Sequence, residues 1–582
     1  MNDDINDIDH RDKHIKRLEK LAEERKRLLS LEGMQALDAI LDHPQPNALI
    51  HSFAEEDLLF LIHHIGPEDA LDLISIASDR QWEYILDIET WEKDRINLYA
   101  VTQWLGLMLK ADPQRFIHWA ATEKPDLIEY LLFHSIEIIV REDDQDPSDF
   151  DDGFITYDDI FYFRIPEKKY APDAKADFKE QHQELLNRII DHLARIDHVF
   201  YQQTLLRAAN VISAESEEEA FRLRNFRLAE KGFVPFHEAV GVFQPISVDH
   251  LKKRKKVMVE QPEPDIFVPA PINHTSMMGK DSIFSQALAK ITNFNILQQL
   301  QVEFAGVCNQ LIAAEQTPVR SRDELKTIVK KACGFISIGL ESLLRREKVV
   351  PDTLTVEHIK TYQLTDLFRT GYGEIASLRQ QAKKWQKSSW FSKNKLPLSF
   401  WGERLVGVIG GLLINRPKFY NIHQTEELYR EFETMAEIEM TRSILAEAMA
   451  YDNLLSGMAI DANDFLKDRF ISCQNLLMTL WARHCIGLPP EIIPIPVALF
   501  RPFFAELWKP GKTPSAIKES KKTDFLQWLA GESELPENEI SQDLGKALEL
   551  LFGEIAEEYG TVRPEDLEPR FVQMFLLADK KP

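Results

Sequence analysis

EEDLLFLIHHIGPEDALDLISIASDRQWEYIL, residues 55–86, is the stretch whose reading decides the fold. Leu58, Leu61, Ile62 and Ile65 fall three, one and three residues apart, the spacing of one helical face, and Gly66 closes that helix. Pro67 stands where the pattern starts a new helix, a position that tolerates proline because its missing N–H would have no partner there. Ala70, Leu71, Ile74 and Ala77 repeat the period. Asp79 serves as a cap for RQWEYILDI, and Asp112 with Pro113, then Lys124 with Pro125, renew the breaker-then-helix signal. The last segment, DLIEYLLFHSIEIIV, reads as one helix ending at Val140. Helices this short bury no apolar face alone, so the stretch from Phe53 to Val140 predicts stacked antiparallel pairs, a solenoid-like rhythm without an exact repeat.

Working outward, 582 residues with 44% hydrophobic and 10% aromatic content can bury a sizeable core and suggest roughly two to four domains. A net charge of -25, from 94 acidic against 69 basic residues, argues against a nucleic-acid partner bound over the whole surface and leaves room for a local basic patch. Cys308, Cys333, Cys473 and Cys485 form no CxxC pair and no secretory leader precedes them, which predicts buried free thiols in a cytoplasmic chain. The longest apolar run, LVGVIGGLLI at 405–414, lies between Arg404 and Arg416 and is about half the roughly 20 residues of a membrane span. It reads as a buried, glycine-containing helix.

The predicted class is mainly α: N-terminal stacked hairpins, a small β-hairpin near 153–165 and a C-terminal helical bundle. Residues 1–45 are a charged lead-in whose HIKRLEKLAEERKRLLSL suits a solvated helix held by i,i+4 pairs, or else a short coiled coil. The stack domain then covers 46–250 with an acidic loop at 142–152, a basic and Pro-rich connector covers 251–281, and a helical domain of longer helices covers 282–582.

Several motifs invite chemistry and fail on spacing. EDDQDPSDFDDG at 142–153 is rich in carboxylates, as calcium loops are. With Gly153 as the turn glycine, however, Ser148 and Phe150 fall where the first and third ligands belong, and Asp159 where a bidentate Glu belongs. It reads as a solvated loop before the hairpin FITYDDIFYFRI. Gly511, Lys512 and Thr513 end like a phosphate loop, but Glu506 stands at the first glycine and Pro510 and Pro514 flank it. GYGEIA at 371–376 follows a helix rather than a strand, which suits helix packing better than a dinucleotide. His237 and Glu238 begin like a zinc helix, with Gly241 in place of the second histidine. His63 and His64, near Glu56 and Asp69, allow a base oriented by a carboxylate, although neighbours on a helix point about 100° apart and one core and one surface histidine is the simpler reading.

SEEEAFRLRNFRLAEKG opens with a capping box, Ser216 with Glu219, and ends on Gly232 at a left-handed position. Its Arg222, Arg224 and Arg227 read as partners of Glu217, Glu218, Glu219 and Glu230 rather than as an anion site. KKRKK at 252–256 reads as a solvated loop lying near the acidic loop, with a nucleic-acid or anionic-membrane contact as the sharper alternative. No catalytic, cofactor or metal residue is assigned.

In length, acidic loop, SEEEAFRLRNFRLAEKGF segment and Pro-rich connector, the chain resembles an uncharacterised bacterial family of unknown function. That resemblance implies a bacterial cytoplasmic origin and no activity. LLFLIHHIGPEDALDLISIASDRQWEYIL, within residues 53–110, also resembles the stacked-helix cytoplasmic N-terminal domain of MgtE-type magnesium transporters, with no metal ligand carried over because the membrane part is missing. Two function classes follow. One is a non-enzymatic interaction or regulatory scaffold with protein partners, its acidic surface favouring basic or mixed-charge ones. The other is an enzyme or small-ligand binder with a pocket between the two helical halves. Neither partner identity nor oligomeric state can be read from the residues.

Overall fold

The computed structural model describes residues 17–579 apart from 93, 143, 168–175, 197, 210–212, 257–271, 316–318, 320–321, 346–351, 422–426, 459, 461–470 and 510–514. The fold is mainly α, and the chain forms two compact units, Met1–Arg369 and Thr370–Pro582. Residues 282–369 cluster with the first unit, so the division falls inside one long helix at 369/370 rather than in the 251–281 segment.

The first unit begins with helices α1 (residues 17–28), α2 (Gly33–Leu41), α3 (Pro46–His51), α4 (Glu55–Ile65), α5 (Leu71–Ile76), α6 (Asp79–Glu89), α7 (Leu98–Ala111), α8 (Pro113–Thr122) and α9 (Pro125–Ser135). Alternate helices pack on one another: α2 on α4 on α6, and α3 on α5 on α7, before α7, α8 and α9 pack in sequence. This two-row order follows from the breakers. Gly66 takes φ 110°, which only glycine adopts without strain. Asp112 accepts from Arg115 N and Asn97 from Ala100 N, each capping the helix that follows. At α6 the cap is Ser78, in a full capping box with Gln81, and Asp79 is its first helical residue. Pro67 does not start a helix: Gly66 O accepts from Asp69 N and Ala70 N in one turn, and α5 begins at Leu71. Leu58, Leu61, Ile62, Ala70, Ile74 and Ala77 are buried as the periodicity requires. Leu28 and Leu29 join this core, and Arg25 is buried with its guanidinium donating to Ser52 O at 2.7 Å, so the end of the lead-in helix is packed rather than solvated.

DLIEYLLFHSIEIIV does not stay helical. After Ser135 the β-branched run Ile138, Ile139 and Val140 forms β3 (Glu137–Val140), following the small hairpin β1 (Trp91–Glu92) and β2 (Arg95–Ile96). The expected hairpin at 153–165 is β4 (Ile155–Thr156) and β5 (Phe161–Arg164), and β3 adds to it in an antiparallel sheet of order β3-β5-β4, with Val140 opposite Phe161 and Ile155 opposite Phe163. Three helices cover the stack: α10 (Ala176–Ile196) on α7, α11 (His198–Ala209) on α9, and α12 (Ser213–Glu230) on α9 and α6. α12 starts at Ser213, which puts Ser216 inside the helix instead of at its cap. Gly232 is left-handed as expected, and a Cβ there would lie 2.7 Å from Gly306 Cα.

The rest of the first unit contains α13 (Phe236–Ala239), α14 (Val248–Leu251), α15 (Ile272–Ser276), α16 (Ile283–Ala289), α17 (Phe294–Glu315), α18 (Arg322–Leu344) and α19 (Asp352–Thr361), then α20 (Leu364–Ser388), which crosses into the second unit. GYGEIA lies within α20, as helix packing predicted. The second unit adds α21 (Trp390–Lys393), α22 (Glu403–Leu413), α23 (Met435–Gly457), α24 (Cys473–Ile486), α25 (Val497–Glu506), α26 (Glu519–Ser533) and α27 (Glu537–Tyr559). α23 packs against α22, α26 and α27. Two short pairings were not foreseen: β6 (Phe419–Tyr420) with β7 (Tyr429–Arg430), antiparallel, and β8 (Ile495–Pro496) with β9 (Leu577–Ala578), parallel. The LVGVIGGLLI run is α22 with Gly407, Gly410 and Gly411 on the face toward β6 and β7, where Tyr429 Oη donates to Gly407 O at 3.1 Å. Among the described residues no helix is long and apolar enough to cross a membrane.

Candidate functional site

Titratable side chains concentrate where α4 and α6 meet α12. Glu83 and Asp87 are one turn apart on α6 and so share a face. Arg224 and Arg227, three apart on α12, face them. Arg227 binds Asp87 with both arms, Nε to Oδ2 at 2.8 Å and Nη2 to Oδ1 at 2.6 Å, and reaches Glu83 at 3.2 Å. Arg224 Nε donates to the Asp87 carbonyl at 2.5 Å and its guanidinium lies 5.4 Å from the Trp91 ring centre. Lys124 pairs with the same Glu83 oxygen that Arg227 reaches. Lys231, just past the end of α12, binds Glu55 of α4 at 2.6 Å, and Lys231 O accepts from Asn309 of α17 at 2.9 Å.

Burial sets the electrostatics. It pushes the Asp87 carboxyl up, against the hydrogen bonds and charge of Arg227, and pulls Arg224 down to about 10 against Asp87. Glu56, beside Lys231, Glu55 and Asp57, is raised by desolvation to about 7, and Tyr84 is raised well above its ordinary range by burial and by Glu56, Glu55, Asp57 and Asp87. Glu56 therefore holds its proton in the folded chain at pH values where the unfolded chain has lost it. Stability from that proton is present below the ordinary value of 4.5 and is lost as pH rises toward 7. Glu56→Gln should flatten the stability profile across that window, read as unfolding midpoints in urea at a series of pH values.

The histidine pair resolves with a different carboxylate from the expected ones. His63 Nε2 meets Glu89 Oε1 at 2.9 Å, with the His63 ring edge-on to Trp104 at 5.9 Å, while Glu56 belongs to the Lys231 cluster. His63 and His64 are both half-buried, and His64 Nε2 is enclosed without a hydrogen bond among the described residues. Of the arginines, Arg222 alone keeps the expected helix partner, Glu219 at 3.4 Å. Glu217 instead accepts from Ile96 N at 2.8 Å. His237 and Glu238 are exposed on the one-turn α13. The acidic loop is tied to the small sheet by Arg141, which donates to Asp159 at 2.6 Å and to Gln145 O at 2.8 Å, and by Arg164, which reaches Asp151 at 3.5 Å. Cys308, Cys333 and Cys473 are buried, but Cys485 is exposed. Gly511, Lys512 and Thr513 lie outside the described residues.

Among the described residues no group of three or more His, Cys, Asp or Glu side chains is placed to hold a metal ion. Two open grooves mark the first unit. One of about 180 Å³ between α7 and α10 is lined by Tyr99, Lys110, Glu184 and Arg188, and one of about 390 Å³ at α16 and α19 is lined by Lys290, Thr353, Val356, Glu357 and Lys360. Neither is lined by a member of the α4–α6–α12 network. What that network does is fasten: two arginines and a lysine clamp α12 to the stack through carboxylates that sequence reasoning passed over. Their signal was available, since Glu83 and Asp87 lie four residues apart on α6, on one helical face.

A model of a family described as a family of unknown function matches residues 12–578. No curated protein and no solved structure matches the chain, so nothing ties residues 53–110 to magnesium transporters.

Proposed function

We propose, for a chain that belongs to the family of unknown function DUF6178, a non-enzymatic interaction scaffold whose docking face is the outer side of α11 and α12. The observation that carries this is the exposure of large apolar side chains there: Val199 is 64% and Leu206 49% exposed two turns apart on α11, and Leu223 is 43% and Phe226 70% exposed three residues apart on α12. Apolar side chains exposed as neighbours on one helix face are the usual mark of a protein contact. Arg222, Glu219 and Glu230, on α12 beside them, favour a partner of mixed charge. The charged clamp supports the reading, because it holds α12 rigid without occupying its outer face.

Tagged protein recovered from its native cells under gentle salt should carry a stoichiometric protein partner. Phe226→Asp should remove that partner, a loss of about 2 kcal/mol or more at an interface anchor, while leaving the unfolding midpoint unchanged because the side chain is exposed. A partner retained at full stoichiometry by Phe226→Asp and by Leu223→Asp would refute the face.

A further inference from the structure

Strand β3 has an open side. Its register sets Ile138 opposite Phe163, Ile139 opposite Tyr162 and Val140 opposite Phe161, and Arg141 N donates to Ile160 O at 2.9 Å. In an antiparallel ladder, residues that exchange both bonds with the facing strand alternate with residues whose N–H and C=O point away. With Arg141 bonded to Ile160, Glu137 and Ile139 also face β5, and the backbone groups of Ile138 and Val140 face outward. β3 ends the sheet order β3-β5-β4, and those outward groups of Ile138 and Val140 have no hydrogen-bond partner among the described residues. Val140 is 42% exposed, and Ile138 and Ile139 are half-buried. A row of free donors and acceptors on an aliphatic strand is the template to which another extended segment adds.

Charge decides what kind of segment fits. The chain runs from β3 straight into the acidic loop, where Glu142, Asp144, Asp149 and Asp152 are exposed and have no ion-pair partner among the described residues. Arg141 and Arg164, which tie the loop to the sheet, are committed to Asp159 and to Glu137 and Asp151. The basic run at 252–256, expected as a solvated loop beside the acidic one, is instead a fixed segment elsewhere. Arg254 pairs with Asp366 of α20 at 3.0 Å, Lys256 pairs with Glu303 of α17, and Lys255 bridges Tyr362 just past α19. A strand added to β3 and carried on beyond Val140 therefore passes carboxylates that no base of the described chain neutralises, which favours lysine or arginine there. A second copy of this chain would bring another net charge of -25 and another acidic loop to the same edge.

We propose that β3 is a docking edge for an extended basic segment of a partner protein. β-Branched residues of that segment pair antiparallel along Ile138 to Val140, and its lysines or arginines continue past Val140 onto Glu142 and Asp144. This edge is a recognition element additional to the exposed side chains of α11 and α12.

The full-length protein is titrated calorimetrically with the peptide acetyl-KKKVIVT-amide, with acetyl-EEEVIVT-amide, and with the lysine peptide N-methylated at both valines. The lysine peptide should bind saturably, and each of the other two about tenfold or more weakly. Val140→Pro removes an outward donor and leaves the bonds to β5 in place, as proline on an edge strand does. It should weaken binding about tenfold with an unchanged unfolding midpoint. Should it lower the midpoint, the N-methylated peptide and a second variant, Glu142→Lys with Asp144→Lys, decide. That pair alters exposed side chains alone and should turn the preference toward the glutamate peptide. Phe226→Asp, on α12, should leave peptide binding unchanged, so that failure of the edge and failure of the α11–α12 face are read separately. No binding of the lysine peptide, or binding indifferent to N-methylation and to the charge reversal, overturns the proposal. A concentration-dependent dimer in sedimentation that Val140→Pro abolishes would assign the edge to a second copy and overturn it as well.

Discussion

Asp87→Ala is expected to destabilise the first unit by about 3 kcal/mol, toward the lower end of what breaking a buried ion pair costs because Arg227 is partly exposed. The mechanism is the loss of a buried counter-charge to two guanidinium groups, Arg227 keeping Glu83 and Arg224 keeping the main-chain carbonyl of residue 87. Arg227 loses both of its short bonds to Asp87, and Arg224, already pulled down by burial, loses the nearest negative charge. Asp87→Asn keeps the shape and should cost less, since an amide oxygen still accepts one of the two bonds. Urea denaturation followed by tryptophan fluorescence would report a lower midpoint at constant slope. A double-mutant cycle with Arg227→Met isolates the pair, and Asp87→Ala should be much milder in the Met background. Equal cost in both backgrounds would mean that Asp87 acts by packing, and the clamp would lose its rationale. In the intact chain the same substitution should loosen α12 and weaken whatever docks on Phe226.

Gly411→Ala should cost the second unit roughly 1–3 kcal/mol by overpacking. Alanine is the better helix former by about 0.5–1 kcal/mol, so an exposed glycine in α22 would be improved by the change. Position 411 reverses the sign: a Cβ there would sit 2.6 Å from the Lys418 carbonyl oxygen, which is backbone, and 3.0 Å from the Tyr429 ring. Neither side yields cheaply, because Lys418 N also donates to Gly411 O at 2.9 Å and anchors the entry to β6. Hydrogen exchange should show early opening of residues 419–421 and 427–430. Gly407→Ala should behave in the same way through Tyr420, whose ring would lie 2.4 Å from the new methyl. A rise in unfolding temperature for either variant would show that the two tyrosines do not rest on α22.

Local rules made the helices of the stack legible. Gly66, Asp112, Pro113 and Pro125 act on their own neighbours, and the structure follows them. What the residues hid was set by partners distant in sequence. SIEIIV continues a helical period in one dimension and becomes a strand because Phe161 to Arg164 lie alongside it. Arg227 takes the buried Asp87 carboxylate and Arg224 the Asp87 carbonyl, some 140 positions away, in preference to the glutamates of their own helix, of which Glu218, Glu219 and Glu230 are exposed. His63 likewise takes Glu89 of α6 in place of Glu56 on its own helix. For the candidate site, then, composition identified the charged helix and not its counterpart, because a salt bridge between elements leaves no fixed spacing in the chain.

The parallel pairing of β8 with β9 has a kinetic side. Ile495 and Leu577 are about 80 residues apart, and closing a loop that long is a slow, late event in folding. Until it happens Phe500 and Phe503 lack Phe575, whose ring lies 4.8 and 6.3 Å from theirs, and Thr479 Oγ1 lacks the Leu576 N–H that it accepts at 2.8 Å. During synthesis, α24 and α25 emerge well before the strand that seals them, with an aromatic surface open to solvent. Until that closure the aromatic surface of α25 is an aggregation-prone patch of the kind that transiently exposed cores present.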